Sequence, residues 1–236
     1  KPKRVLFDKS TIQLGWTSPQ VINWGSGSGL NNIGNTCYLN SALQAFLHVP
    51  AIAQWLMNDK EHFDRCRGES LTKGLKLSLK HSIFIENYCI NCNMAKTLQQ
   101  THRLNTSSFT PSLITSRLNL ICKHLTYGRQ EDSHEFLRYC IEKMERSYLM
   151  RFRNESWFKD LDQYSKETTP LNQILGGYLR STVTCLSCNH ESVTFQHFQD
   201  LQLDISRVSK LGDAIDGYFS RENLEECGYK CESCKK

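Results

Sequence analysis

Apolar residues recur at helical spacing in two stretches of the chain. One stretch follows Cys37 and the other follows Glu135, and in each the apolar positions share one face of an α-helix. The first face contains Leu39, Ala42, Leu43, Phe46 and Leu47, and the second contains Phe136, Leu137, Cys140, Ile141 and Met144. Shorter helices are predicted over Ala51–Asn58, from a Thr110–Pro111 cap to about His124, and across Leu211–Phe219.

Strand patterns follow residue 175. Gly176–Cys185 and His190–Phe198 predict the two strands of a hairpin. Leu201, Leu203 and Ile205 then alternate with polar residues, as in a half-buried strand.

Composition limits the function classes. The chain has 236 residues, 39% of them hydrophobic, which is enough for a sizeable core. The net charge of +5 is dispersed, so direct nucleic-acid binding has little support. No apolar run approaches the ~20 residues of a membrane span, and no secretory signal opens the chain. The chain begins without Met and stops two residues after a Cys-x-x-Cys, so we expect both ends to be cuts.

The eleven cysteines suggest a reducing compartment, with metal ligands, a nucleophile and core residues rather than disulfides. Cys185-x-x-Cys188 lies at the tip of the predicted hairpin, and Cys231-x-x-Cys234 closes the chain. Two such pairs attached to strands predict a Cys₄ zinc ribbon formed by Cys185, Cys188, Cys231 and Cys234.

A second, tentative metal site combines His62-x₃-Cys66, one helical turn, with Cys89-x₂-Cys92. The alternative is a set of unrelated buried thiols beside a surface histidine. His81 is a competing ligand in the insertion between the two pairs.

Cys37 is the candidate nucleophile. Asn35 and Thr36 are good N-cap types, so Cys37 lies in the first helical turn, where free N–H groups and the helix dipole favour a thiolate. From these residues alone, a structural buried cysteine remains the alternative. Asp132 and Glu135 have capping-box spacing, and taken alone they indicate only a polar helix start.

Two short sequence motifs resemble those of a known protein family. GLNNIGNTCYLNSALQ resembles the cysteine box of the ubiquitin-specific proteases, with matches at Gly29, Leu30, Asn32, Gly34, Thr36, Cys37, Tyr38, Asn40 and Gln44. GRQEDSHEFLRY is similar to a second box of that family, and the zinc ribbon is similar to its fingers region. The resemblance implies that Cys37 is the nucleophile and that Asn32 donates to the oxyanion.

The same resemblance implies that Gln130, Asp132 and Glu135 line the channel for the C-terminal tail of ubiquitin. Carboxylates suit this role because the tail carries arginines, and Arg–carboxylate pairs form oriented, charge-assisted hydrogen bonds. His134 is tempting as a general base, but in the family it belongs to the box and not to the catalytic triad.

The resemblance implies an α+β fold, the papain-like cysteine protease hand, truncated at its C-terminus. Residues 1–28 are a lead-in, residues 29–236 are about two thirds of the catalytic domain, residues 29–175 form the thumb, and residues 176–236 form the zinc-ribbon fingers. The basic cluster Lys1–Arg4 is expected to be a solvated tail, since it matches a nuclear localisation signal only weakly.

The implied function is that of a thiol-dependent deubiquitinase, which hydrolyses isopeptide or peptide bonds at the C-terminal glycine of ubiquitin. Its partners are ubiquitin and ubiquitinated proteins, its cofactor is structural Zn²⁺, and neither nucleic acid nor membrane is involved. The family's histidine box is absent from this sequence, so the chain alone is expected to be weakly active or inactive.

The alternative function is a ubiquitin-binding pseudoenzyme or a zinc-organised interaction module. The tentative His/Cys site, GGYLRSTVTC, QEDSHEFLRY and the lead-in KRVLF are most similar to one nuclear and nucleolar branch of the family. That resemblance predicts a nuclear location, possibly nucleolar, with the cytoplasm as the alternative.

Overall fold

The two apolar helix faces predicted from the sequence meet in a buried helical core. The computed structural model describes residues 1–16, 25–66, 88–103, 107–224 and 228–235. Its contacts divide the chain into two units, Lys1–Ile174 and Leu175–Lys236. The insertion that contains His81 lies outside the described residues.

The first unit is mainly helical. It begins with a 3₁₀ turn at Lys9–Thr11 and contains one parallel strand pair, β1 (Gly29–Leu30) with β2 (Ser108–Phe109). Its helices are α1 (Cys37–Leu47), α2 (Pro50–Asn58), α3 (Lys60–Arg65), α4 (Ile90–Arg103), α5 (Ser112–Thr115), α6 (Leu118–Ile121), α7 (Ser133–Leu149), α8 (Gln163–Lys166) and α9 (Pro170–Leu175). Two further 3₁₀ turns lie at Met150–Phe152 and Phe158–Asp160.

Helices α1 and α7 pack against each other at the centre of this unit. Leu39 and Leu43 of α1 are fully buried, as are Phe136 and Met144 of α7. The rings of Tyr38 and Phe136 meet edge to face with centroids 5.9 Å apart. Burial of each large apolar side chain stabilises the fold by about 1.5–3 kcal/mol, so this packing holds both helices in place.

The helix predicted from Pro111 to about His124 is wrong as a single element, because the structure contains two short helices, α5 and α6. Side chains near the break bond backward to carbonyl oxygens: Thr115 Oγ1 donates to Pro111 O, and Ser116 Oγ donates to Ser112 O. Such bonds do not by themselves end a helix, since Thr97 and Thr101 make them inside the continuous α4. The backbone of Arg117 (φ −131°, ψ 24°) then leaves the helical region.

The second unit contains the predicted hairpin. Strand β3 (Gly177–Thr184) pairs antiparallel with β4 (Glu191–Phe198), in a register that runs from Gly177↔Phe198 to Thr184↔Glu191. Helix α10 (Leu211–Tyr218) follows as predicted. The strand predicted over residues 201–205 does not form. A strand needs a neighbour for its backbone groups, and this segment has no strand partner among the described residues.

The backbone of the first residues is attached to the first unit, while the side chains of Lys1, Lys3 and Arg4 are exposed, as expected for a solvated segment. The backbone N–H of Arg4 donates to Ser165 Oγ (2.9 Å), and that of Leu6 donates to Thr168 Oγ1 (2.8 Å). The Arg4 guanidinium stacks 4.2 Å from the centroid of the Trp157 ring. No helix in the described segments is both long and apolar enough to cross a membrane.

Glu145 joins the middle of α7 to the start of α9. Its carboxylate accepts hydrogen bonds from Thr169 Oγ1 (2.5 Å) and from the backbone N–H of Asn172 (3.0 Å). The carboxyl group is withdrawn from solvent although part of the side chain remains accessible. Burial raises its pKa from 4.5 to about 7, against the opposing effect of the two donors.

This raised pKa predicts a pH-dependent contribution to stability. The contribution of Glu145 to the free energy of unfolding is fully present below pH 4.5 and is lost as the pH rises through about 7. The reason is that ionisation of the carboxyl group costs more free energy in the folded state than in the unfolded state. We expect the free energy of unfolding of the wild type, relative to E145Q, to fall by about 2–3 kcal/mol across that range. Urea denaturation at a series of pH values measures the difference. E142Q, on an exposed position of the same helix, is the control, and a pH-independent difference for E145Q would contradict the prediction.

Candidate active site and metal centres

Hydrogen bonds among its own residues hold the loop before Cys37 in one conformation. The backbone N–H and the hydroxyl of Thr36 both donate to Asn32 Oδ1, at 3.0 and 3.2 Å, and the N–H of Ile33 donates to Thr36 Oγ1 at 3.1 Å. Gly34 (φ 90°) and Asn35 (φ 58°) adopt left-handed conformations, which these residue types tolerate best. Because its Oδ1 is held by Thr36, the side-chain amide of Asn32 retains its N–H groups as donors.

A second loop, which precedes α7, forms hydrogen bonds with the loop before Cys37. Tyr127 Oη donates to the carbonyl oxygen of Ile33 (2.9 Å), and Asn35 Nδ2 donates to the carbonyl oxygen of Gly128 (2.9 Å). The structure therefore brings together the two sequence boxes that contain Cys37 and Asp132, although about ninety residues separate them.

Two polar side chains of α1 reach back to the strand that leads into the loop. Asn40 Nδ2 donates to the carbonyl oxygens of Leu30 (3.3 Å) and Asn31 (3.1 Å). Gln44 Nε2 donates to the carbonyl oxygen of Ser28 (3.2 Å). These bonds give Asn40 and Gln44 a structural role, because they fix the approach of the chain to Cys37.

Cys37 is exposed and is the first residue of α1. Thr36 occupies the predicted N-cap position, but its side chain does not cap the helix, because it bonds within the preceding loop. Within the described residues, the backbone N–H groups of Cys37, Tyr38 and Leu39 have no acceptor. These free donors and the helix dipole form a region that favours negative charge beside the thiol.

No histidine hydrogen-bonds to the Cys37 thiol in the part of the chain that the structure describes. His48 Nδ1 lies 2.8 Å from the carbonyl oxygen of Gln44, and its ring centroid is 5.3 Å from that of His102. His62 belongs to a cysteine cluster. This arrangement provides an exposed thiol beside free N–H donors, and in the described residues no histidine is paired with it.

At the start of α7, Asp132 is the N-cap. Its Oδ1 accepts the backbone N–H of Glu135 at 2.9 Å, and backbone hydrogen bonds from Glu135 and His134 lower the pKa of Asp132. The capping predicted for Asp132 is thus present. No reciprocal bond from the Glu135 carboxylate occurs among the described residues, so that carboxylate remains available to a cation. Gln130 is exposed in the loop just before.

The four candidate ligands of the predicted His/Cys site lie together in the first unit. The possible ligand atoms of His62, Cys66, Cys89 and Cys92 all lie within 4.8 Å of one another, with His62 Nε2 3.2 Å from Cys89 Sγ. Helix α3 carries His62 and is followed by Cys66, whereas Cys89 and Cys92 flank the start of α4. Two separate helix ends therefore meet at one cluster.

Electrostatics in this cluster favour a thiolate at Cys89 but not at every ligand, because hydrogen bonds with Cys66 and Cys89 raise the pKa of Cys92. Hydrogen bonds with Cys66 and Cys92, which outweigh burial, lower the pKa of Cys89. For His62, burial disfavours the charged imidazole, but bonds to Cys66 and Cys89 outweigh it and raise its pKa to about 9. A thiolate is the form of cysteine that ligates a metal.

The ribbon cluster is assembled in the second unit. Cys185 Sγ lies 3.7 Å from Cys234 Sγ, and Cys188 Sγ lies 3.7 Å from Cys231 Sγ. Backbone N–H groups of Ser187 and Cys188 lower the pKa of Cys185 to about 6. Tetrahedral Zn²⁺ with Zn–S bonds of about 2.3 Å requires sulfur–sulfur distances of about 3.7 Å, so the residues of this cluster fit the ion.

Two residues that the sequence did not indicate, Asp59 and Arg151, lie at the start of α3, the helix that carries His62. Asp59 Oδ1 accepts the backbone N–H of His62 (3.3 Å), which caps α3, while Asp59 Oδ2 lies 2.5 Å from Arg151 Nη2. Arg151 also stacks 4.1 Å from the centroid of the Tyr148 ring. Asp59 precedes His62 by three residues, as in other N-caps, but no local signal links it to Arg151.

The comparisons with known proteins agree on one family. The family model described as ubiquitin carboxyl-terminal hydrolase matches residues 28–219. Proteins named ubiquitin carboxyl-terminal hydrolase 36 from Drosophila grimshawi and Drosophila willistoni are each 56% identical to the chain, over 237 and 238 residues. The alignments cover 100% of this chain but 18% of each relative. These names correspond to the branch that the sequence motifs indicated.

Solved structures show the same fold. The SAGA Ubp8/Sgf11/Sus1/Sgf73 DUB module bound to ubiquitin aldehyde matches with a TM-score of 0.65 at 26% identity, over 89% of this chain and 42% of that chain. A SAGA DUB module bound to monoubiquitin matches with a TM-score of 0.67 at 24% identity, over 89% and 43%. The predicted α+β, papain-like fold is thereby confirmed.

Proposed function

This chain belongs to the ubiquitin carboxyl-terminal hydrolase family, and we propose that it carries the nucleophile of a cysteine-type deubiquitinase. The observation that carries the proposal is the exposed Cys37 at the start of α1, beside a loop locked by Asn32 and Thr36. The substrates are ubiquitin conjugates, cleaved at the isopeptide or peptide bond that follows the last glycine of ubiquitin.

In the proposed reaction, a histidine takes the proton of the Cys37 thiol, Cys37 Sγ attacks the carbonyl carbon of that glycine, and the carbonyl oxygen becomes an oxyanion. Asn32 Nδ2 and the free N–H groups at the start of α1 stabilise this charge, and one such donor is worth about 3 kcal/mol. The tetrahedral adduct collapses, the C–N bond breaks, and the leaving amine takes a proton from the histidine. Water then hydrolyses the thioester. We propose that this histidine belongs to the longer protein outside this chain.

The start of α7 is the proposed site for the arginine-containing tail of ubiquitin. Glu135 offers a carboxylate that is not used in capping, and Asp132 offers the oxygen that does not accept the Glu135 N–H. Gln130 adds a neutral amide in the exposed loop. Because Tyr127 and Asn35 bind this loop to the Cys37 segment, a tail held here would lead toward the thiol.

We further propose that residues 29–175 serve as the thumb and residues 176–236 as the fingers, with residues 1–28 as a lead-in. His62, Cys66, Cys89 and Cys92 would hold one structural Zn²⁺, and Cys185, Cys188, Cys231 and Cys234 would hold another. When bound, the ion cross-links chain segments without taking part in bond cleavage. The nuclear, possibly nucleolar, location remains a prediction from the family branch, as does the absence of nucleic-acid and membrane partners.

A second candidate function is a ubiquitin-binding module without catalysis. The observation in its favour is that, in the described residues, Cys37 has no histidine partner. The same tail channel and metal clusters would then serve for binding alone.

Labelling with ubiquitin that carries a C-terminal electrophile tests the nucleophile. We expect a covalent adduct that mass spectrometry maps to Cys37, because the thiol is exposed and next to free N–H donors. C37A should lose the adduct but retain ubiquitin binding. Adduct formation at another cysteine would contradict the assignment, and ubiquitin binding without any adduct would favour the binding module.

Substitution at Asn32 tests the oxyanion donor in the intact protein that contains this chain. N32D keeps the oxygen that holds Thr36 but loses the N–H donors, so we expect kcat to fall by about 10²–10³-fold with a fluorogenic ubiquitin substrate. N31D, a charge-matched change at the exposed neighbour, is the control. Equal losses in the two variants would show that Asn32 has no special role.

Elemental analysis of the purified chain tests the metal sites. We expect two zinc ions per chain, and one in either C92S or C188S, because each substitution removes one ligand from a different cluster. A single zinc that C92S retains and C188S loses would leave only the ribbon site. No zinc in the wild type would overturn both.

A further inference from the structure

A buried serine lies against the metal cluster of the first unit. Ser147, on the last turn of α7, is 2% exposed, and its Oγ is 3.4 Å from Cys89 Sγ. Within the described residues, Cys89 is the only hydrogen-bond partner of this hydroxyl. A buried hydroxyl requires such a partner, so the contact with Cys89 is a specific one.

We propose that Ser147 is a positioning residue for the metal site formed by His62, Cys66, Cys89 and Cys92. The inference rests on that proposed site. A ligating cysteine is a thiolate and has no proton to give, so the serine hydroxyl is the donor and Cys89 Sγ is the acceptor. The bond orients the thiolate and offsets part of its charge, as outer partners of metal ligands do.

The position of α7 supports this role. One turn earlier on the same helix, the carbonyl oxygen of Met144 accepts a hydrogen bond from Asn91 Nδ2 (3.3 Å). The segment that contains Cys89 and Asn91 is therefore attached to α7 at two points on one face. Its surroundings are dry, since Met144 and Ile90 are fully buried. A hydrogen bond to a charged group is stronger in such a low-dielectric environment.

The ribbon cluster provides an internal reference. There, backbone N–H groups of Ser187 and Cys188 bond to Cys185, so that site has donors that belong to its own turn. A change at Ser147 should therefore affect one of the two metal sites and leave the other unaltered. This difference separates a local effect on ligation from a general loss of folding.

The test measures metal affinity in a chain that has only the first site, with C188S as the background. Zn²⁺ competition against a chromophoric chelator should show affinity about 10–100-fold lower in S147A, because an outer partner of a ligand is lost. In Co²⁺-loaded protein, the sulfur-to-metal charge-transfer bands should shift, since the Cys89 thiolate loses a hydrogen bond. S116A is the matched control, as Ser116 is exposed and its hydroxyl bonds only within α5 and the turn that follows.

A second pair of variants separates the loss of the hydroxyl group from a change in packing. S147T and S147V have nearly the same volume, and only S147T retains a hydroxyl. Tighter Zn²⁺ binding in S147T than in S147V supports the inference. Equal affinity and identical Co²⁺ spectra in S147A and the background protein would overturn it while the metal site stands. If the C188S chain binds no Zn²⁺, the site itself is refuted, and the role of Ser147 falls with it.

Discussion

The hydrogen bonds between the loop before α1 and the loop before α7 are the constraint on which the candidate active site depends. Tyr127 and Asn35 make them, and each joins a side chain of one loop to a backbone carbonyl of the other. A side chain aimed at a backbone group fixes the path of the partner loop whatever residue stands there. The candidate nucleophile and the proposed tail channel therefore share one framework.

Helix α7 makes contacts that matter for the candidate sites at its first turn, its middle and its last turn. Its first turn is capped by Asp132, and its middle packs Phe136 and Met144 against α1. Its last turn places Ser147 beside Cys89. The proposed tail-binding residues and the first metal cluster thus lie at opposite ends of one rigid element. Zinc binding at that cluster would stabilise the helix on which the channel is built.

Much of this architecture could be predicted because its signals are local. Helices α1, α7 and α10 and the β3–β4 hairpin follow from periodicity, and the candidate metal clusters follow from Cys-x-x-Cys spacing. The failures also have local causes. The backbone leaves the helical region at Arg117, inside one predicted helix, and the alternating pattern at residues 201–205 has no strand partner in the described part of the chain. A periodic pattern predicts which side is buried, but not whether backbone partners exist.

By itself, the sequence determined the family, and it indicated the candidate nucleophile and the candidate ligand sets, because each is encoded by residues a few positions apart. Only the tertiary structure decided the contacts between Ser147 and Cys89, between Asp59 and Arg151, and between Glu145 and Asn172. These pairs are 27 to 92 residues apart along the chain. The residues of each pair come into contact because of how α7 packs. That packing is the sum of many weak apolar contacts, which no single stretch of sequence specifies.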